Sequence, residues 1–233
     1  MKKIFLFAVA AFAALSMNAQ VQQVVWSESD VAAKLDGKSY GAGLILTCTD
    51  QAGKMAIDAN NTYFGDANSQ IKFTHRLKSG GKSQVKDDAT NAILLKVPAA
   101  GKLYIYARNS SKNTEGRVLS LSQFGAELFN HEFYDSEAVN VKGLDSKEPE
   151  KETPVFPVFT CDVAKGEVEV SYTGGAINFY GFSLNAPADP DAKQAIEVVG
   201  IESVKAVKRV VDGQVVIERD GRLFNLLGAE IAR

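Results

Sequence analysis

The stretch AILLKVPAAGKLYIYARN, residues 92–109, decides the fold that we predict for this chain. Aliphatic residues alternate with other residues on both sides of a four-residue break that runs from Pro98 to Gly101. The alternating aliphatic positions are Ile93, Leu95, Val97, Leu103, Ile105 and Ala107. Period-two alternation around a short break with proline and glycine predicts a β-hairpin that turns one face to a core.

The opposite face of the second strand carries Tyr104, Tyr106 and Arg108, which we predict to point outward. Each of these side chains joins an apolar body to a polar tip, which suits a wet surface or a sugar ring. The Arg108 guanidinium is also suited to the carboxylate of an acidic sugar. The alternative is that the tyrosines are ordinary strand residues packed beneath a loop, because tyrosine is enriched in strands.

Short alternating runs, turn signals and almost no helical periodicity characterise residues 20–186. This pattern predicts an all-β domain, an antiparallel β-sandwich that is jelly-roll-like, with an open barrel as the alternative. Residues 187–203 follow as a linker, because their first part is rich in alanine, proline and aspartate. Residues 204–233 form a small C-terminal β-hairpin or meander, with Asp-Gly turns at 212–213 and 220–221.

The composition and the N-terminal residues limit the classes of protein to which this chain can belong. The chain has 233 residues, 45% of them hydrophobic, and its net charge of −2 argues against a nucleic-acid-binding surface. Residues 1–19 have two early lysines, an apolar run over residues 4–15 and a small-residue end before Gln20. We therefore predict a cleaved secretory signal and a secreted or cell-surface protein without a permanent membrane span.

Cys48 and Cys161 are the two cysteines of the chain, and both lie in apolar, strand-like runs. In an oxidising compartment they either form a disulfide or stay buried as free thiols, and the sequence leaves both alternatives open. We predict no metal site of histidine and cysteine ligands, because no Cys-x-x-Cys or His-x-x-x-His spacing occurs. His75 and His131 are accordingly interpreted as hydrogen-bonded structural residues.

A polar segment, DANNTYFGDAN at residues 58–68, is predicted to be a loop because turn-forming residues dominate it. Its oxygen-bearing side chains are Asp58, Asn60, Asp66 and Asn68. Oxygen ligands of this kind suit calcium, but their spacing matches no known calcium loop. A plain loop is therefore the preferred interpretation, with calcium binding as the alternative and no other cofactor expected.

The C-terminal segment resembles the sorting domain of type IX secretion cargo. The pieces that carry the resemblance are KRVV (208–211), DG (212–213), VVI (215–217), DG (220–221) and FNLLG (224–228). The resemblance covers about the last 30 residues and implies recognition by the type IX secretion machinery after Sec export. It further implies transport over the outer membrane, removal of the segment and attachment to the cell surface.

The middle of the chain is similar to accessory β-sandwich modules found beside pectate lyases and other secreted polysaccharide-degrading enzymes. The matching pieces are FTHRLKSGG (73–81), LKVPAAG (95–101), VLSL (118–121) and GAINFYGF (175–182). This resemblance implies a non-catalytic role in carbohydrate binding or surface adhesion. The catalytic domain that usually accompanies such a module has no counterpart in these residues.

We predict a binding function and not an enzyme, since no pair of carboxylates and no Gly-x-Ser-x-Gly elbow stands out. The candidate ligand-binding residues are Arg76, Lys78, Tyr104, Tyr106, Arg108, Asn178 and Tyr180. Aromatic rings cover the apolar faces of sugars, while charged and amide groups bind their hydroxyls. The expected ligand is a polysaccharide or glycan; a structural or adhesive protein that binds protein partners is the alternative, and a polysaccharide-degrading enzyme is the least supported.

Overall fold

The structure, a computed structural model, describes residues 21–81, 91–110 and 116–192, together with the strands of the C-terminal tail. The backbone divides into two compact units, Met1–Ala195 and Ile196–Arg233. The described residues are almost entirely β-strand and contain two short 3-10 turns but no α-helix. Within these ranges, no helix has the length and hydropathy that crossing a bilayer requires.

The first unit is an antiparallel β-sandwich, as predicted. Its described residues form fifteen strands, which are β1 (Gln22–Val25), β2 (Ala32–Ala33), β3 (Ser39–Tyr40), β4 (Ile45–Asp50), β5 (Ala56–Gly65), β6 (Gln70–Lys78), β7 (Asn91–Val97), β8 (Gly101–Asn109), β9 (Val118–Gln123), β10 (Ala126–Glu132), β11 (Val139–Val141), β12 (Thr153–Phe156), β13 (Phe159–Val163), β14 (Gly166–Thr173) and β15 (Ile177–Leu184). The 3-10 turns are Glu28–Asp30 and Asp135–Glu137.

Two sheets form the sandwich. The nine-stranded sheet has the order β11-β12-β5-β6-β15-β8-β13, with β1 paired to β15 and β2 paired to β5. The six-stranded sheet has the order β10-β9-β14-β7-β4-β3. All recorded pairings are antiparallel except β12 with β5. Successive strands cross from one sheet to the other between β7, β8 and β9, and again between β13, β14 and β15, which gives the jelly-roll-like connectivity.

The main core lies between the two sheets and is mostly aliphatic. It includes the six alternating residues of the stretch 92–109, all of them at most 1% exposed. Leu46, Leu121 and Val170 from the six-stranded sheet belong to it, as do Phe179 and Phe182 from β15. Burial of this apolar surface is the main favourable contribution to folding.

The predicted hairpin at residues 92–109 is wrong, although both strands are present. β7 pairs with β4 and β14 in the six-stranded sheet, whereas β8 pairs with β13 and β15 in the nine-stranded sheet. The break at Pro98 therefore carries the chain across the core. The aliphatic side chains of both strands point into the same core from opposite sheets. Two strands of this kind show the same period-two alternation in sequence as two strands paired in a hairpin.

The polar segment 58–68 is also not a loop in its first part, because Ala56–Gly65 forms the ten-residue strand β5. A β-bulge interrupts its pairing with β6, since Ala59 lies opposite His75 and Thr62 opposite Phe73. Three steps along β5 thus match two steps along β6. The extra residue breaks the period-two pattern, which is why alternation in the sequence does not reveal the strand.

A second apolar cluster covers the outer face of β8 and β15. The distal half of the β5–β6 hairpin contributes Phe64 and Phe73, whose ring centroids lie 5.7 and 4.8 Å from that of Tyr106. Phe64 also lies 5.2 Å from the ring of Tyr180. The remaining members are Val25, Ala188, Ile71, Tyr104, Phe156 and Val158. The nine-stranded sheet is therefore packed on both faces in this region.

The domain continues past the last strand of the sandwich into the predicted linker. Ala188 is 5% exposed, and its backbone N–H donates to the Tyr106 hydroxyl at 2.8 Å. The Gln23 amide makes two hydrogen bonds with the Asp189 backbone, donating to its carbonyl at 2.7 Å and accepting from its N–H at 2.8 Å. Residues 187–189 thus pack as part of the domain, and residues 193–203 of the predicted linker lie outside the described residues.

Cys48 and Cys161 are both buried free thiols in the structure, so the disulfide alternative is not realised. Cys48 lies on β4 of the six-stranded sheet and Cys161 on β13 of the nine-stranded sheet. Both belong to the main core, where a thiol packs as a small apolar group. Burial raises the pKa of Cys48 to about 12, and burial likewise raises the pKa of Cys161 to about 11.

The second unit is a small antiparallel meander, which agrees with the predicted tail. Its strands are β16 (Val207–Val211), β17 (Gln214–Arg219), β18 (Arg222–Phe224) and β19 (Glu230–Ile231). They pair in sequence order, so β17 lies between β16 and β18. The two predicted Asp-Gly turns, the secretory signal at residues 1–19 and residues 193–203 of the predicted linker lie outside the described residues.

Candidate functional site

All seven predicted ligand-binding residues lie on three adjacent strands. Arg76 and Lys78 are on β6, Asn178 and Tyr180 are on β15, and Tyr104, Tyr106 and Arg108 are on β8. In the register of the sheet, Asn178 lies opposite Lys78 on one side and opposite Arg108 on the other. The sheet therefore brings together residues that are up to 104 positions apart in the chain, from Arg76 to Tyr180.

The two predicted tyrosines on β8 are not exposed, contrary to the expectation of an open aromatic face. Tyr106 is fully buried and Tyr104 is half-buried in the outer cluster. Both do point away from the main core, as predicted, but the β5–β6 hairpin and residue Ala188 cover them. Burial is also the main reason why the pKa of Tyr106 is raised. This outcome matches the alternative in which the tyrosines pack beneath another segment.

Arg76 and Lys78 form ion pairs with one carboxylate on the neighbouring strand. Asp58 Oδ1 lies 2.8 Å from Arg76 Nε, and Asp58 Oδ2 lies 2.9 Å from Lys78 Nζ. Burial opposes ionisation of Asp58, but hydrogen bonds from the two cations outweigh it and lower the pKa of this carboxyl. Asp58 thus offsets one of the two positive charges of Arg76 and Lys78, and it occupies the Arg76 Nε and the Lys78 Nζ.

Arg108 is held in a different way. Its guanidinium carbon lies 4.8 Å from the centroid of the Phe156 ring, a cation–π contact. Its Nε donates to the Tyr180 hydroxyl at 3.3 Å, and one terminal nitrogen donates to the Asn109 carbonyl at 3.3 Å. In the described part of the chain, no carboxylate forms an ion pair with Arg108, in contrast to Arg76 and Lys78.

A surface groove of about 560 Å³ opens beside Arg108. One wall comes from the bulged part of β5, and the other comes from the segment around β11 and β12. We call this cavity the β5–β12 groove. Its lining residues are Asn61, Thr62, Tyr63, Arg108, Ser136, Ala138, Asn140, Thr153, Pro154 and Phe156. Aromatic rings, amides and hydroxyls surround a single charged side chain, which is a lining suited to a polar, uncharged ring with one anionic group.

Sequence reasoning found Arg108 but missed the other side chains of the groove. Tyr63 and Asn61 lie in the segment predicted to be a loop, and the bulge hides the strand there. Asn140 lies on β11 and Phe156 lies on β12. β11 pairs with β12, and β12 pairs with β5, so both pairings join residues that are distant in the sequence. The aromatic pair Tyr63 and Phe64 inside an otherwise polar segment is the signal that could have identified this strand.

Asn178 and Tyr180 do not line the groove. Both are fully buried, and the Tyr180 hydroxyl donates to Asn60 Oδ1 at 2.6 Å. Because the same hydroxyl accepts the hydrogen bond from Arg108, it links the guanidinium to β5. Tyr180 is therefore a positioning residue for Arg108.

Three of the four residues proposed as calcium ligands, Asp58, Asn60 and Asp66, have other partners for their side-chain oxygens. Asp58 is bound to two cations, and Asn60 accepts from Tyr180 and from Thr62. Asp66 Oδ1 accepts the backbone N–H groups of Asn68 and Ser69, which closes the turn after β5. In the residues that the structure describes, no group of three or more His, Cys, Asp or Glu is arranged to hold a metal ion.

The two histidines contact carboxylates. His75 lies 3.1 Å from Glu28, and His131 lies 2.7 Å from Glu137. The His131 ring also packs 4.3 Å from the ring of Phe159. These contacts tie the 3-10 turns Glu28–Asp30 and Asp135–Glu137 to the sheets, which is the structural role predicted for histidine here.

No protein-family model matches the chain, and no curated protein matches its sequence.

Proposed function

We propose that this protein is an exported, non-catalytic module that binds a polysaccharide or glycan in the β5–β12 groove. The observation that carries the proposal is the composition of the groove. The Tyr63 and Phe156 rings line the groove with apolar carbon atoms, while Asn61, Asn140 and Thr153 line it with amide and hydroxyl groups. Sugars present the matching combination of apolar CH faces and hydroxyl groups.

The size and the setting of the groove agree with this ligand class. A volume of about 560 Å³ is within the range of small-molecule sites. Both walls are built on paired strands, because Tyr63 lies opposite Val155 in the parallel pairing of β5 with β12. A site on rigid strands binds without a large ordering cost.

Export and surface display complete the proposal. They rest on the signal-like residues 1–19 and on the resemblance of residues 204–233 to type IX sorting domains. The partners that we infer are therefore a glycan at the groove and the type IX secretion machinery at the tail. Mass spectrometry of the cell-surface fraction tests this part, and a full-length cytoplasmic product would contradict it.

The binding proposal is tested with a glycan array and a polysaccharide pull-down of the mature protein. The informative variant is Tyr63→Ala, which removes one ring from the groove and is expected to weaken retention at least severalfold. The matched control is Phe124→Ala, which removes an exposed ring from the turn between β9 and β10 of the other sheet. Equal retention by wild type and Tyr63→Ala would reject the groove as the binding site.

An adhesive protein that binds protein partners is the second candidate, because one exposed residue favours it. Phe124 is 78% exposed, and its φ of +53° is unfavourable for a bulky side chain. An exposed aromatic ring in a strained turn suits a contact with another protein. Sedimentation of wild type and Phe124→Ala tests this candidate: self-association that the substitution abolishes, together with no glycan retention, would favour adhesion.

A further inference from the structure

We propose that the β5–β12 groove selects an acidic sugar and that Arg108 binds its carboxylate. This inference rests on the proposed glycan-binding function and adds the chemical class of the ligand. Its starting point is the charge of the groove, since Arg108 is the one ionised side chain among the described lining residues. The other lining groups are amides, hydroxyls, aromatic rings and apolar side chains.

The hydrogen bonds of Arg108 leave one edge of the guanidinium free to bind a ligand. Nε is occupied by the Tyr180 hydroxyl, and one Nη1 hydrogen is occupied by the Asn109 carbonyl. Nη2 donates to no group among the residues that the structure describes, and Nη1 has a second hydrogen. Two neighbouring N–H groups of this kind form the fork that a planar carboxylate accepts from arginine.

The orientation of that fork is fixed before a ligand arrives. Phe156 packs against one face of the guanidinium at 4.8 Å, and Tyr180 holds Nε. Tyr180 is itself fixed, because its hydroxyl donates to Asn60 at 2.6 Å and its ring is fully buried. A preorganised cation loses little conformational entropy on binding, which favours recognition of one geometry over general attraction of anions.

Arg76, Lys78 and Glu137, three charged residues of the same region, have partners within the protein. Arg76 and Lys78 are both engaged by Asp58, and neither residue lines the groove. Glu137, which lines a small cavity next to Arg108, lies 2.7 Å from His131 and accepts the Tyr134 N–H at 3.3 Å. A half-buried guanidinium without a carboxylate partner costs free energy that an anionic ligand group recovers.

The test measures dissociation constants by isothermal titration calorimetry with two matched probes. One probe is oligogalacturonate, and the other is the same oligomer with its carboxyl groups methyl-esterified. The wild type is expected to bind the acid form roughly tenfold to a hundredfold more tightly than the ester. Sulfated dextran oligomers serve as a third probe that distinguishes carboxylate recognition from attraction of any polyanion.

Three variants accompany the probes. Arg108→Gln is expected to bring the affinity for the acid form down to that for the ester, and Arg108→Lys is expected to fall between, since it keeps the charge and loses the fork. Lys102→Gln is the matched control, because it removes one positive charge from the same strand at an exposed position outside the groove. Thermal melts confirm that each variant folds.

The outcomes separate this inference from the function on which it rests. Equal affinity for the acid and the ester, or an unchanged affinity in Arg108→Gln, overturns the selection of acidic sugars while glycan binding stands. Binding of sulfated dextran as tight as that of oligogalacturonate also overturns it. Binding of no glycan on the array overturns the proposed function and this inference together.

Discussion

The two faces of the nine-stranded sheet are packed by different kinds of side chain. On β8, Ile105 enters the main core between the sheets, while its neighbour Tyr106 enters the outer cluster. The main core is mostly aliphatic, whereas the outer cluster is mostly aromatic. Both residues are fully buried, so the difference lies in chemistry and not in burial.

The difference shows how a packing layer becomes a site. Aliphatic side chains in the main core need no polar partner, and that core can close on itself. Tyrosines in the outer cluster carry hydroxyls that must be bonded when they are buried. Tyr106 and Tyr180 place these hydroxyls at the rim of the cluster, where one meets Ala188 and the other meets Asn60 and Arg108. The polar rim of the outer cluster is thereby continuous with the groove.

The largest expected effect comes from removing the outer ring on β8. Tyr106→Ala is expected to lower the free energy of unfolding by about 3–5 kcal/mol, because it leaves a cavity among Phe64, Phe73 and Tyr180. Urea denaturation measures the change, with Ile105→Ala as the matched substitution in the main core, expected at about 2–5 kcal/mol. If Tyr106→Ala lowered the free energy of unfolding by less than about 1 kcal/mol, the outer cluster would contribute little to stability, in contrast to the main core.

A smaller effect is expected from the hydroxyl alone. Tyr106→Phe keeps the ring and removes the acceptor of the Ala188 N–H, which is buried with it. The expected loss is about 1–2 kcal/mol, since a buried donor is left without its partner. Hydrogen exchange of the Ala188 amide should accelerate in this variant. Unchanged exchange together with unchanged stability would mean that residues 187–189 do not depend on this bond.

The ion-pair cluster at the border of the outer face is expected to contribute about 1 kcal/mol, because Asp58 and Lys78 are partly exposed. The pKa of Asp58 is lowered in the folded protein, so its contribution is complete at neutral pH. It starts to fall once the pH drops below about 4, the usual pKa of an aspartate in an unfolded chain, and it is lost as the pH falls through the lowered pKa of the folded state. The stability difference between wild type and Asp58→Asn should therefore shrink on acidification, and a difference that is constant from pH 7 to pH 3 would contradict the pairing.

The smallest expected effect concerns the two thiols that enter the main core from opposite sheets. Addition of a reductant should leave the melting temperature unchanged, because Cys48 and Cys161 are free. With their pKa values raised to about 12 and about 11, both thiols should resist alkylation at pH 8 in the folded state. After unfolding without reductant, intact-mass spectrometry should show two adducts. A mass without adducts would reveal a disulfide.

Much of the fold could be predicted from the sequence, because period-two alternation directly reports which residues face a core. The aliphatic side of 92–109 is buried as predicted. Strand partners could not be predicted in the same way, since β7 and β8 alternate identically whether they pair with each other or face each other across a core. Alternation identifies faces, and the identity of the neighbouring strand depends on distant residues.

Only part of the candidate site could be predicted from the sequence. Arg108 was identified by its position opposite the aliphatic face, and the register of β15 then placed Asn178 beside it. The wall of the groove that contains Tyr63 was hidden, because the bulge in β5 shifts the alternation by one residue. The prediction that Tyr106 is exposed was also wrong. Alternation shows that its side chain points away from the main core, but it does not show that the outer cluster covers that face of the sheet.

The pairing of β1 with β15 has a mechanical consequence. Gln22 lies opposite Leu184 and Val25 opposite Gly181, so the first and the last strand of the domain are antiparallel neighbours. The N-terminal end of β1 and the C-terminal end of β15 therefore lie at the same end of this pair. The Gln23 side-chain amide also forms hydrogen bonds with the Asp189 backbone there. A force that pulls the two ends apart loads these hydrogen bonds one at a time, as in a zipper, and not all together, as in shear. Tension along the chain would therefore detach β1 early, at low force, before it strains the groove formed by β5, β11 and β12.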